Sequence, residues 1–127
     1  MTVDDLILEA RKVTGEFSLS DTEKFLTAGT VGAALVTKSG KVFTGICIDL
    51  YCGIGFCAEH SAIAEMLKHR ETQIDMIVAV TEDDILPPCG RCRELMMQVD
   101  KRNSDTKVIV SGKRIKTLDE LMPERWM

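Results

Sequence analysis

Three cysteines and one glutamate are the residues whose types and spacing could do chemistry in this chain. Cys57-Ala58-Glu59 is followed, after residues 60–87, by Pro88-Cys89-Gly90-Arg91-Cys92. Three thiols can hold one zinc ion, and a tetrahedral ion with three protein ligands keeps its fourth position open for water. A carboxylate two residues from a ligand is close enough to move protons on and off that water. Cys89 and Cys92, three apart at a helix start, face one side of its first turn. The bland reading is a pair of buried apolar thiols. Pro88 before them and Gly90 between them favour ligation, with Cys57 as the third ligand. Glu59 reads as the acid–base group, against the alternative of an acid that merely favours its helix N-terminus.

His60 opens a second reading. Cys57-x-x-His60 with Cys89-x-x-Cys92 also fits a closed structural site of three cysteines and one histidine, with no open position and no chemistry. Such modules are usually smaller and less helical than this chain. Cys52 is a weaker candidate ligand, and Cys47 reads as core or pocket lining.

The elements that must position these groups follow from the hydrophobic pattern. Thr2, with Asp5 three residues on, caps a first helix whose apolar residues Leu6, Val13 and Phe17 recur at roughly helical spacing. Residues 31–37, a turn at 38–41 and an alternating run at 42–49 predict a β-hairpin. Residues 51–56 hold two glycines and read as an irregular loop. Helical pairing resumes from Cys57 to about Arg70, and residues 76–81 form an apolar run expected of a strand buried on both faces. A further helix runs from near Cys89 to about Lys101. A fourth strand spans 107–111, and a Thr117/Glu120 capping box opens a short terminal helix ended by Pro123.

Strands alternating with helices imply an α/β layered domain, one domain over residues 1–127, with helices on both faces of the sheet. Both cysteine segments then open helices just past strand ends. Free N–H groups and positive dipole ends there stabilise thiolates.

Net charge is −4, and no basic stretch exceeds two residues. A small-molecule substrate is therefore expected rather than a polynucleotide. Residues 1–5 lack a basic-then-apolar export pattern, and the longest apolar runs are far too short to span a bilayer. Five cysteines, an odd number, suit metal or core roles in a reducing compartment better than a disulfide framework. The expected location is cytoplasmic, with no membrane partner.

The combined motifs resemble the cytidine deaminase family, whose pattern is Cys-Ala-Glu-Arg with Pro-Cys-Gly-Ala-Cys-Arg-Gln. Here the residues are Cys57-Ala58-Glu59-His60 and Pro88-Cys89-Gly90-Arg91-Cys92-Arg93-Glu94. The likeness runs from Val31-Gly32-Ala33-Ala34 to Leu121-Met122-Pro123, and Arg91 and the Trp126 tail look more like the blasticidin S deaminase branch. The resemblance implies a three-layer α/β/α fold around a five-stranded mixed sheet and a homotetramer with sites near subunit interfaces. Four strands are read from the pattern, so Ile115-Lys116 is a candidate for the fifth.

The resemblance also implies one zinc ion per chain on Cys57, Cys89 and Cys92. It implies Glu59 as proton shuttle and deamination of a cytosine nucleoside, such as cytidine, deoxycytidine or blasticidin S. The Ala58 amide, a carbonyl at Pro87 or Pro88, Phe56 or Tyr51, and Trp126 are the expected contacts for the substrate. A rival within the same chemistry is a nucleic-acid base deaminase of the tRNA adenosine type, which the acidic charge disfavours.

Two departures stand out. His60 replaces the family arginine that offsets thiolate charge, so Arg91 is the better candidate for that role. Cys47-Ile48-Asp49 stands where the family grips sugar hydroxyls with Asn-x-Glu.

Overall fold

The computed structural model describes residues 1–20 and 23–127. Helix α1 (Val3–Val13) starts on the expected box: the Thr2 hydroxyl accepts from the Asp5 amide, and the Asp5 carboxylate accepts from the Thr2 amide. It ends earlier than its apolar spacing suggests. Thr14 and Gly15 leave the helical conformation, and the Gly15 amide donates to the Gly29 carbonyl at 2.7 Å. Phe17 therefore belongs to strand β1 (Phe17–Ser20), which corrects its assignment to the helix. Its apparent helical register with Leu6 and Val13 is accidental, and Gly15 was the stop signal.

Strand β2 (Glu23–Thr37) is the spine of the sheet and pairs antiparallel with β1, β3 (Val42–Asp49) and β4 (Ile74–Val80). The expected hairpin is its second half with β3, in the register Val36↔Val42 to Gly32↔Ile46. Strand β5 (Ile85–Leu86) lies against β4. Strand β6 (Lys107–Val110) pairs parallel with β4, and β7 (Arg114–Thr117) closes the far edge. The sheet is mixed, and β7 covers the segment expected to supply a further strand. The count is seven among the described residues rather than five. β1 and β5 escaped the reading because four and two residues carry no measurable alternation.

Helix α2 (Ala58–Lys68) follows β3, and α3 (Gly90–Val99) crosses between β4 and β6. Leu6, Ile7 and Ala10 of α1 pack on one sheet face with Ala34, Val36, Val78 and Ile109. Ile63 and Met66 of α2, with Met96 and Met97 of α3, pack on the other against Leu35, Ile77 and Val108. Neighbouring strand residues thus serve opposite layers, as the two-residue strand period requires. The result is the three-layer α/β/α arrangement. The Thr117/Glu120 box forms too, reciprocally, ahead of a single 3₁₀ turn at Asp119–Leu121.

Two features aim the helices at one place. Gly45 on β3 lets α2 approach its backbone: a Cβ there would stand 2.4 Å from the Ala62 nitrogen. In β2, two extra residues between the pairs Ala28↔Ile48 and Gly32↔Ile46 make a bulge, with Gly29 at φ +87°. The bulge takes Val31 out of the ladder and turns residues 30–31 toward the start of α2.

Candidate metal and substrate site

Cys57 and Cys89 occupy the N-cap positions of α2 and α3, and Cys92 lies in the first turn of α3. Cys57 Sγ is 3.4 Å from Cys89 Sγ, and Cys89 Sγ is 3.6 Å from Cys92 Sγ. All three sulfurs lie within 4.8 Å of one another. For zinc with bonds of about 2.3 Å, tetrahedral geometry sets ligand sulfurs about 3.8 Å apart. The cluster fits such an ion with little movement.

Its electrostatics fit a cation as well. Burial pushes the Cys57 thiol up, and the Cys89 thiol beside it adds to the effect. Burial also drives the Cys92 thiol far up, followed by the Glu59 carboxylate. Burial opposes ionisation at Cys89 too, but the backbone N–H groups of Cys92 and Arg91 and the neighbouring thiols outweigh it, so its pKa falls. Three thiolates beside a carboxylate are therefore untenable without a cation among them.

Glu59 is 5% exposed, and its Oε2 lies 3.4 Å from Cys92 Sγ. Burial holds its pKa above the usual carboxylate range. His60 Nδ1 lies 3.5 Å from Cys92 Sγ, while its ring runs nearly parallel to Phe56 with centroids 6.4 Å apart. Neither Glu59 nor His60 joins the three-sulfur cluster. Among the described residues, the histidine needed for a closed four-ligand site is not in place. The His60 ring is in contact with a ligand sulfur, whereas Arg91 meets one through its backbone N–H. Burial, then the positive charge of Arg91, lowers the His60 pKa.

These groups open into a cavity of about 610 Å³. Cys57, Ala58, Glu59, Cys89 and Arg91 line it. Thr30, Val31, Cys47 and Asp49, from the bulge and the end of β3, line it as well, Cys47 and Val31 packing with Ala58, and so do Tyr51 and Phe56. The Phe56 loop is clamped to β3 by two 3.0 Å bonds between its backbone and that of Ile48.

Two expected contacts lie elsewhere. Pro88 is buried away from the cavity, its carbonyl accepting from Arg93 Nε at 2.8 Å, and Pro87 lines the wall instead. Trp126 is 82% exposed and lines no part of the cavity. The reading missed Phe25, Thr30, Val31 and Leu86. The glycines at 29 and 32, inside an otherwise apolar strand, were the available sign of a bulge there.

Residues 17–110 match the cytidine and deoxycytidylate deaminase zinc-binding region. The chain belongs to the cytidine deaminase family. It is 34% identical over 109 residues to the blasticidin-S deaminase of Bacillus cereus, covering 76% of each chain. To the cytidine deaminase of Halalkalibacterium halodurans it is 32% identical over 99 residues, covering 73% of this chain and 74% of that one. The crystal structure of cytidine deaminase from Burkholderia pseudomallei superposes with a TM-score of 0.77 at 29% identity, covering 99% of this chain and all of that one. That of the Mycobacterium leprae cytidine deaminase gives 0.79 at 25% identity, covering 98% and 99%. The family match takes in all three clustered cysteines and Glu59, and ends before Trp126. No helix among the described residues is long and apolar enough to cross a membrane.

Proposed function

We propose that the chain is a zinc-dependent hydrolase, with one ion per chain on Cys57, Cys89 and Cys92. It removes the 4-amino group of a cytosine nucleoside to give the uracil compound and ammonia. The observation that carries this reading is the meeting of three cysteine sulfurs and a buried carboxylate at the head of one cavity. The relatives named for cytidine and blasticidin S deamination support it.

When bound, zinc supplies the Lewis acidity that makes water a nucleophile near neutral pH. Glu59 does the proton work. It takes one proton from the attacking water and delivers it to ring N3, where it stays in the uracil product. It then passes the second proton to the departing nitrogen. The water oxygen bonds to C4, the C4–N bond breaks, and ammonia leaves.

The Ala58 amide, in the first turn of α2 where N–H groups have no partner within the helix, donates to the pyrimidine edge in this reading. The carbonyl of Pro87, which lines the cavity, is the acceptor in this reading. Tyr51 and Phe56 offer faces on which the base can stack. Exposed apolar side chains beside the cavity, Phe25 at 75% among them, suit assembly into a homotetramer, and unpaired thiols suit the cytoplasm.

The test is a panel of cytidine, deoxycytidine, free cytosine and blasticidin S with zinc-replete protein. The readouts are loss of the cytosine absorbance band and release of ammonia. Turnover of at least one supports the reading, and turnover of none rejects it.

A further inference from the structure

Arg93 ties two distant parts of the chain together. It follows Cys92 on α3 and is half-buried, whereas Arg91 on the same helix is exposed. Its Nε donates to the Pro88 carbonyl at 2.8 Å, and its Nη1 donates to the Leu121 carbonyl at 3.1 Å. The far end is anchored. Leu121 closes the 3₁₀ turn at Asp119–Leu121, which the Thr117/Glu120 box opens. Leu118, just before that turn, is fully buried in the same core as Met96 and Met97, and its amide donates to the Thr106 carbonyl at 3.0 Å.

The near end, the Pro88 carbonyl, belongs to the peptide unit that carries the Cys89 amide. Three torsions separate the Cα atoms of Pro87 and Cys89. The Pro88 ring fixes its φ, and that same ring restricts ψ of Pro87 before it. This leaves ψ of Pro88 as the soft torsion between Pro87, which lines the cavity, and Cys89, whose sulfur faces Cys57. The same torsion sets where the Pro88 carbonyl points, so a hydrogen bond to that oxygen fixes it. Because the peptide is planar, the bond also places the Cα of Cys89. Pro88 and Glu59 border one narrow internal gap beside Val108 and Ile109, so the support extends to the carboxylate.

We infer that Arg93 is a positioning residue: its guanidinium sets the Pro88–Cys89 peptide against the C-terminal 3₁₀ turn and so aims the Cys89 sulfur at the metal. The consequence for zinc rests on the deaminase reading. The turn lies outside residues 17–110, the stretch that matches the family, so the site draws support from beyond it. Both acceptors are neutral carbonyls, so the role calls for two directed donors rather than a positive charge. Lysine keeps the charge but lacks the planar fork that spans them.

The experiment uses the full chain as native protein, Arg93→Gln, Arg93→Lys, Glu120→Ala and the double variant Arg93→Gln/Glu120→Ala. Glu120→Ala undoes the box at the far anchor and leaves α3 untouched. Competition with a chelator reads zinc affinity. Arg93→Gln should weaken it by roughly tenfold, the low end for groups that orient metal ligands, and Arg93→Lys should not restore it. Glu120→Ala should weaken it less, and the two losses should not add in the double variant, as expected of residues in one network. Native zinc affinity in Arg93→Gln, full recovery in Arg93→Lys, or additive losses would overturn the assignment. Amide NMR of the metal-free proteins gives the same comparison without metal. In Glu120→Ala the signals of residues 89–92 should shift while those of α1 stay in place, which a general loss of stability would not produce. If native protein binds no zinc and deaminates nothing, yet those signals respond, the deaminase reading fails and the positioning role stands. Unmoved signals at 89–92 in Glu120→Ala would overturn it, including where the Arg93 variants fold poorly.

Discussion

Cys57 and Cys89, 32 residues apart in the chain, bring their sulfurs to 3.4 Å because each caps a helix that starts beside the same strand ends. The Cys57 side chain makes no capping hydrogen bond, and the Cys89 sulfur, stabilised by the backbone N–H groups of Arg91 and Cys92, still faces Cys57 and Cys92. Gly45 fixes one of these helices by removing the Cβ that would hold α2 off the sheet. The same contact makes an assay of metal content the first check on the site. Native protein should carry about one zinc per chain, and Cys57→Ser, Cys89→Ser and Cys92→Ser should each lose most of it. Chelation should lower the melting temperature of the native protein, since metal binding is linked to folding. Full occupancy in all three variants would contradict the ligand set.

The His60 ring reaches Cys92 Sγ, whereas Arg91 is exposed and meets the Cys89 sulfur through its backbone N–H, which a change of side chain keeps. His60→Ala should therefore weaken metal affinity more than Arg91→Ala does, by the ~10–100-fold typical of groups that orient metal ligands. Competition with a zinc chelator measures both. The opposite order would make Arg91 the residue that offsets the sulfur charge.

Asn103 is fully buried and ties α3 to the sheet. Its Oδ1 accepts from the Ile74 amide at 2.8 Å, while Nδ2 donates to the Met96 carbonyl at 2.9 Å and the Thr72 carbonyl at 3.0 Å. Asn103→Ala strands three backbone groups and should cost about 2–4 kcal/mol in denaturant unfolding. A loss below about 0.5 kcal/mol, the range of ordinary surface changes, would contradict this account.

Parts of this molecule differ in how far sequence alone exposes them. Helices α2 and α3 and the β2–β3 hairpin were legible because ten or more residues of consistent period reveal which face is buried. The cysteines and Glu59 were legible because their chemistry is rare and their spacing places them at helix starts. Strands β1 and β5 were not, being too short to show a period. The choice between Pro87 and Pro88 was not legible, because neighbouring residues in a loop point in directions no pattern encodes. The contact of the Val31 amide with Cys47 Sγ was equally hidden. It depends on a bulge that moves Val31 out of register, and only the glycines at 29 and 32 hint at it.

The central claim is that Glu59 moves the protons of a hydrolytic deamination beside a three-thiolate metal. The most direct measurement is turnover of the best cytosine substrate by Glu59→Gln, with its zinc content determined on the same sample. The amide fills the same space but cannot take up or release the proton. Zinc should stay at about one per chain while kcat falls by at least ~10²–10⁴-fold, the usual contribution of a positioned acid–base group. A variant that keeps its metal and still deaminates at a near-native rate would contradict the claim.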